Sequence, residues 1–413
     1  MTRRPNILFL AHRVPYPPNR GDRIRSFHLL KFLADRGAVS LATLADEPLE
    51  AGTPEALAGL CRRMAIEPLG KSRWLRAALS LARGNSATEG LFHSPRLRQT
   101  ILSWRQQARF DAVVVFCSSM VQYLDAADVP VSRTIVDLCD VDSQKFLDYA
   151  AHARGLKKRL YALEAARLRR LECSLPGRAG AITLVSEAEA ELFRGFCPNG
   201  VTHAVTNGVD LDYYLPPRGD GRSGRCVFVG AMDYQPNIDG MIWFCRNVWP
   251  HVRAARPDAS LVIVGRAPTP SVRSLGELPG VEVTGSVPDI RPYLADAQVA
   301  VVPLLIARGV QNKVLEAMAM ARPVLASPQA LEGLNVTRCQ HVLCASDSAD
   351  WVSRLCRLFD DKSERLRVGA AGRQYVEQEH GWEPCLLAFE SLLDRTGAVA
   401  SYSHTTTGAY ESP

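Results

Sequence analysis

Short unbroken apolar runs alternate along this chain with stretches whose apolar positions recur every three or four residues. The first run, Asn6-Ile-Leu-Phe-Leu-Ala11, has the character of a strand buried on both faces. A proline-rich loop, Val14-Pro-Tyr-Pro-Pro-Asn-Arg-Gly-Asp22, follows it. From about Arg23 to Asp35 the spacing predicts an amphipathic helix with Ile24, Phe27, Leu30 and Leu33 on one face and Gly37 at its end. Further strands are predicted at 39–45, 112–116, 134–138, 181–185 and 201–205. After Pro216–Gly224, a Pro/Gly-rich stretch with little to bury, the alternation restarts. Strands are expected at 226–229, 261–264, 281–284 and 299–303, and helices at about 239–244, 311–321, 349–359 and 381–395. Strand, helix, strand at this spacing implies parallel sheets covered on both faces.

The predicted organisation is α/β: two Rossmann-like domains, residues 1–213 and 225–380, joined by a linker over 214–224. A C-terminal helix over 381–397 is expected to pack back on the first domain, and 398–413, rich in Ser, Thr, Gly and Tyr, to be a disordered tail. A length of 413 residues suits two domains, and 47% apolar residues suffice for two cores. No segment approaches the roughly 18 apolar residues of a membrane span, and Ile7–Ala11 is too short for a signal-peptide core. A cytoplasmic protein is expected. The eleven cysteines include no Cys-x-x-Cys pair, which reads as reduced core cysteine. Cys339, His341 and Cys344 form the one local cluster, at a spacing that matches no usual metal motif.

Charge is unevenly spread. Residues 1–215 carry 29 Lys+Arg against 22 Asp+Glu, a net of +7, while residues 216–413 carry 20 against 21. The basic half suggests an anionic partner such as a membrane face or a phosphorylated acceptor. Residues 154–172 read as a basic amphipathic helix with a stripe of Leu156, Leu160, Leu163 and Leu171. It either lies on an anionic membrane surface or shows a solvated face. Aromatics are not interleaved with the basic residues, which argues against nucleic-acid binding.

Neither half has the Gly-x-Gly-x-x-Gly turn of a dinucleotide site. Gly21 could admit a phosphate to the start of a helix or simply make a turn. The most informative stretch is Val299 to Ser327. There a strand ends at Pro303, Arg308 and Gly309 lie in a loop, Gln311 opens a helix, and Glu316 sits just over one turn in, among Val314, Leu315 and Met318. A carboxylate so placed is apt as a bidentate acceptor for two vicinal ribose hydroxyls, and the free N–H groups from Gly309 through Val310 to Gln311 face an anionic ligand.

This stretch resembles the donor-site signature of glycosyltransferase family 4, retaining enzymes of the GT-B fold. Val185-Ser-Glu187, Val205–Asp210, Phe228-Val-Gly230, Val262–Gly265 and Ala330–Leu334 extend the resemblance in order along the chain. Ala11–Asp22 is similar to the opening of sugar transferases associated with exosortase/PEP-CTERM exopolysaccharide clusters. The resemblance implies two parallel-sheet domains facing across a cleft and a nucleoside diphosphate sugar donor. It also implies a glycan or lipid-linked acceptor, with no cofactor and no metal. Two features depart from the family. Arg308 stands where the first of two paired glutamates belongs, and no basic pair follows Gly230. Arg266, Arg308 and Lys313 are the nearby cations that could serve the diphosphate. On the acceptor side, Asp140 and then Asp142 are placed at the hydroxyl, although Asp142 could instead cap a helix. His12 either meets the sugar or packs in its loop. A nucleotide-sugar epimerase of the same fold and a catalytically weak glycan-binding subunit remain as alternatives.

Overall fold

The computed structural model describes residues 3–307 and 309–395. Within them the chain builds two wholly parallel sheets. The first has seven strands: β1 (Asn6–Ala11), β2 (Ala38–Ala45), β3 (Arg63–Pro68), β4 (Ala112–Phe116), β5 (Thr134–Cys139), β6 (Ala181–Leu184) and β7 (Thr202–Ala204), in the order β3-β2-β1-β4-β5-β6-β7. The second has six: β8 (Arg225–Val229), β9 (Ser260–Val264), β10 (Val281–Gly285), β11 (Val299–Val302), β12 (Val324–Ala326) and β13 (Leu343–Cys344), in the order β10-β9-β8-β11-β12-β13. In each sheet the order reverses beside the first strand, between β1 and β4 and between β8 and β11. That switch opens a crevice at the carboxyl ends of the strands, where open α/β sheets bind ligands.

The central strands are unbroken apolar runs because helices cover both faces. Every residue of β1 and β4 is buried. The helices that shape the cleft and its rim are α1 (Gly21–Arg36), α2 (Arg73–Ala82), α3 (Ala87–Leu91), α4 (Asp142–His152) and α5 (Gly155–Ser174), then α6 (Gln235–Asn247), α7 (Asn312–Ala319), α8 (Lys362–Glu379) and α9 (Trp382–Arg395). The last of these lies on the first domain. Trp382, Leu386 and Phe389 join the core that contains Ile7, Phe9 and Leu33, and Trp382 stacks on His28 with ring centroids 4.4 Å apart. Arg36 and Glu390 add an ion pair at 3.1 Å.

The Pro/Gly-rich segment after residue 215 is not a free tether. Asp220 pairs with Arg365 of α8, and Arg222 N–H donates to Asp296 O at 2.7 Å. Gly221 has φ +80 and runs so close to the second domain that a β-carbon would meet Ala297 O at 2.6 Å. The tail expected to be disordered, 398–413, lies outside the described residues. Among those residues, no helix is long and apolar enough to cross a membrane.

The Leu156, Leu160 and Leu163 stripe of α5 faces outward, and the helix packs instead through Glu164, Ala165, Leu168 and Glu172. The two buried carboxylates find donors. Glu164 accepts from the N–H groups of Ala87 and Thr88 at 2.6 and 2.8 Å, and Glu172 accepts from Ser143 N–H at 2.9 Å. Hydrogen-bonded carboxylates tie α5 to its neighbours.

Candidate functional site

The carboxyl ends of both sheets face one cleft of about 2350 Å³. A pocket for one small ligand holds about 300–1,000 Å³, so this cleft has room for two substrates.

The second-domain wall is organised by α7. Gln311, in extended conformation, precedes the helix without a side-chain cap, so the amide dipoles of the first turn remain available to an anion. Lys313 donates to Asn237 Oδ1 of α6 at 2.8 Å and lies 5.3 Å from the Phe228 ring centroid. Burial lowers its pKa to about 8, with Glu316 opposing the shift. Glu316, one turn on, is buried. Burial raises its carboxyl to about 7, with Lys313 and a hydrogen bond from Tyr214 working against that rise. Gly230 abuts this machinery: a β-carbon there would stand 2.7 Å from Asn237 Nδ2. Val310 is buried beside the cleft, and Gly309 has φ +61. Arg266 reaches Asp233 at 3.6 Å and, across the cleft, Glu47 of the first domain at 3.6 Å. Arg308 lies outside the described residues.

On the first-domain wall, His12 follows β1 and is buried between the rings of Phe92 and Phe116. Its Nε2 lies 3.3 Å from Asp22 and 4.0 Å from Cys117 Sγ. Burial disfavours the imidazolium, yet Cys117 and Asp22 outweigh it and raise the pKa to about 9. His12 is both packed and cleft-facing, and Arg13 Nη1 lies 3.2 Å from the same Nε2. Asp22 also receives Arg13 at 2.7 Å.

The three carboxylates at the carboxyl end of β5, one within the strand and two after it, separate in role. Asp137 points into the core, where Arg25 grips it bidentately at 2.8 and 3.0 Å. Asp140 faces the cleft, and burial lifts its carboxyl to about 6 while Lys145 opposes the shift. Asp142 is the first residue of α4, after Val141 at the N-cap, and accepts from Ser118 Oγ at 2.6 Å.

Several partners that complete the site had no local signature. Asn207, just past β7, accepts from Arg25 at 2.9 Å and donates across the domains to Asn312 Oδ1 at 3.0 Å. Gly21, the first residue of α1, lies against that same Asn312: an added β-carbon would be 3.8 Å from its Nδ2. Glu47 gathers Arg20 at 3.4 Å and Arg23 at 2.5 Å in addition to Arg266. Arg20 also pairs with Asp22 at 2.9 Å, and burial together with Arg13 and Arg266 lowers the Arg20 pKa. Pairings this far apart in sequence leave no periodicity to read. Cys339, His341 and Cys344 do not converge, and among the described residues no group of three or more His, Cys, Asp or Glu could hold a metal ion.

Two parallel-sheet domains facing across such a cleft define the GT-B class. Residues 223–361, which include α6 and α7, match the family model described as Glycosyl transferases group 1. The chain is 29% identical over 234 residues to the GDP-mannose-dependent monoacylated alpha-(1-6)-phosphatidylinositol monomannoside mannosyltransferase of Corynebacterium glutamicum. That match covers 49% of this chain and spans 58% of the relative's length. Among solved structures, sucrose-phosphate synthase from Thermosynechococcus elongatus superposes with a TM-score of 0.73 at 18% identity, over 96% of this chain and 100% of that one. Anabaena HepE in complex with UDP-glucose gives a TM-score of 0.64 at 14% identity, over 94% and 99%.

Proposed function

We propose that this chain is a retaining glycosyltransferase that moves a sugar from a nucleoside diphosphate sugar to a hydroxyl of a lipid-linked glycan, in exopolysaccharide or envelope polysaccharide biosynthesis. The observation that carries this reading is the placement of Glu316 and Lys313 one turn apart at the open start of α7. A buried carboxylate with a pKa near 7 gains from two vicinal hydroxyl donors, and charge-assisted hydrogen bonds contribute about 1.5–3 kcal/mol each. Lys313, Arg266 and the first-turn amides of α7 supply positive potential to the diphosphate, in place of the basic pair missing after Gly230. Arg20 and Arg23 add to it from the other wall.

The first domain holds the acceptor in this reading. Asp140 lies at the carboxyl end of β5, opposite α7, where it orients the attacking hydroxyl, and Asp142 lines the approach. His12, which lines the cleft, donates to the sugar or to the developing charge on the leaving group. Closure of the domains brings acceptor to donor and excludes water. Retention follows from the family resemblance. The mannosyltransferase relative acts on a lipid-anchored acceptor by its name, and HepE was solved with UDP-glucose. Those two names motivate the donor and acceptor classes assigned here. With a lipid-linked acceptor, the basic first domain approaches the inner face of the membrane.

A panel of labelled nucleotide sugars, offered with and without membrane extract, tests the proposal. Transfer that depends on the extract is expected. Isomerisation of the donor without an acceptor, or binding without turnover, would overturn it.

A further inference from the structure

Helix α2 is built inside out. Its exposed positions are Trp74, Leu75, Ala78, Leu79 and Ala82, a continuous apolar stripe bounded by exposed Lys71 and Arg83. Trp74, Leu75 and Leu79 are 63%, 73% and 46% exposed. The side turned toward the protein holds Ala77, the one buried residue, with the half-buried Arg73, Arg76, Ser80 and Leu81. A helix that stabilises a soluble fold does the reverse, and contiguous exposed apolar surface marks an interaction site.

The neighbourhood says what covers it. Residues 71–83 contain Lys71, Arg73, Arg76 and Arg83 and no acidic residue. The exposed first half of α5, residues 154–163, likewise has Arg154, Lys157, Lys158 and Arg159 and no acid, beside the outward leucines described above. The two helices belong to one unit. α3 packs on α2, where a β-carbon on Gly90 would strike Arg76 O at 2.4 Å, and α3 is hydrogen-bonded to Glu164 of α5. Thr88 and Phe92, at the far side of this unit, line the cleft. A second copy seated symmetrically on this face would bring its lysines and arginines against their equivalents. An anionic bilayer offers both the apolar boundary and the opposite charge.

We propose that the outward face of α2 is a membrane-docking element: Trp74, Leu75 and Leu79 enter the headgroup boundary of an anionic bilayer. Lys71, Arg83 and the Lys157–Arg159 run of α5 meet lipid phosphates around it. The docking itself stands on the surface alone; its purpose, presenting a lipid-linked acceptor past α3 to the cleft, rests on the function proposed above.

The test uses the full chain with vesicles of phosphatidylcholine alone or mixed with phosphatidylglycerol. The wild type floats with the anionic vesicles and detaches as salt rises, and Trp74, the exposed tryptophan of the chain, shifts its emission to the blue. Replacing Trp74→Ser, Leu75→Ser and Leu79→Ser together lowers the partition coefficient at least about tenfold. Lys71→Glu with Arg83→Glu lowers it in a salt-dependent way. Because these side chains are exposed, circular dichroism and calorimetric binding of nucleotide sugar stay unchanged in the triple variant. No flotation of the wild type, equal flotation of the triple variant, or equal binding to neutral vesicles overturns the proposal. So does a concentration-dependent dimer that the triple variant abolishes. Transfer to a detergent-solubilised acceptor reports on the enzymatic reading separately: its absence refutes that reading and leaves the flotation result standing.

Discussion

Gly309 of the second domain lies so close to Asp140 of the first that a β-carbon on it would stand 2.5 Å from Asp140 Oδ1. Gly309 also has φ +61, a conformation that costs a residue with a side chain roughly 1–2 kcal/mol. This one glycine lets the loop before α7 and the Asp140 carboxylate meet across the cleft. Gly309→Ala is expected to hold the domains apart and to lower kcat/KM by about tenfold or more. Small-angle scattering with and without donor checks it: the variant should lose compaction that the wild type retains. Equal scattering and equal rates would show that the contact does not govern closure.

In the proposed function Asp140 stands on the acceptor side, so Asp140→Asn should lower turnover of bound donor far more than it lowers donor affinity. Single-turnover rates set beside calorimetric donor binding separate the two. Loss of binding with turnover of bound donor kept would move Asp140 to the donor site.

The Glu316 and Lys313 pair predicts a bell-shaped pH dependence of donor binding. In the free protein Glu316 is protonated below about 7, and a hydroxyl-accepting role needs it ionised, so affinity falls as pH drops through that value. Lys313 loses its charge above about 8, so attraction to the diphosphate falls there. Affinity should peak between the two values, and Glu316→Gln should remove the acidic limb while keeping the basic one. An intact nucleotide sugar is the right probe, because its diphosphate stays ionised throughout. A flat profile across this range would place neither group at the donor.

Arg25 and Asp137 form a fully buried ion pair that also positions Asn207, and through it Asn312 at the start of α7. Removing one partner leaves an uncompensated charge in the core, at a cost of about 3–5 kcal/mol. Asp137→Ala should therefore lower the denaturation midpoint strongly, whereas Asn207→Ala should spare much of the stability and weaken donor binding. Urea titrations of the two variants make the comparison, and similar midpoints would contradict the division of roles.

Much of the fold was legible because buried parallel strands are continuous apolar runs: Ile7–Ala11, Ala112–Phe116 and Val299–Val302 announce themselves. β3 did not, since it is an edge strand reading Arg-Met-Ala-Ile-Glu-Pro, half-exposed throughout and without an apolar run. The stripe Trp74, Leu75, Ala78, Leu79 and Ala82 of α2 has helical spacing, but spacing alone does not say that this face points outward. In the site, Glu316 and Lys313 were legible because their order along one strand, loop and helix is local. Asn207, Glu47 and Arg25 were not, because their meaning arises from partners such as Asn312 and Arg266 that only the fold brings near.

The central claim is that Glu316 holds the donor ribose, and calorimetric donor titration of Glu316→Gln and Glu316→Ala tests it most directly. The first variant keeps the shape and removes charge assistance, so donor affinity should fall by about tenfold or more. The second should bind more weakly still, while its unfolding midpoint stays near that of the wild type because the carboxylate faces the cleft. Unchanged donor affinity in Glu316→Ala would contradict the ribose-holding role.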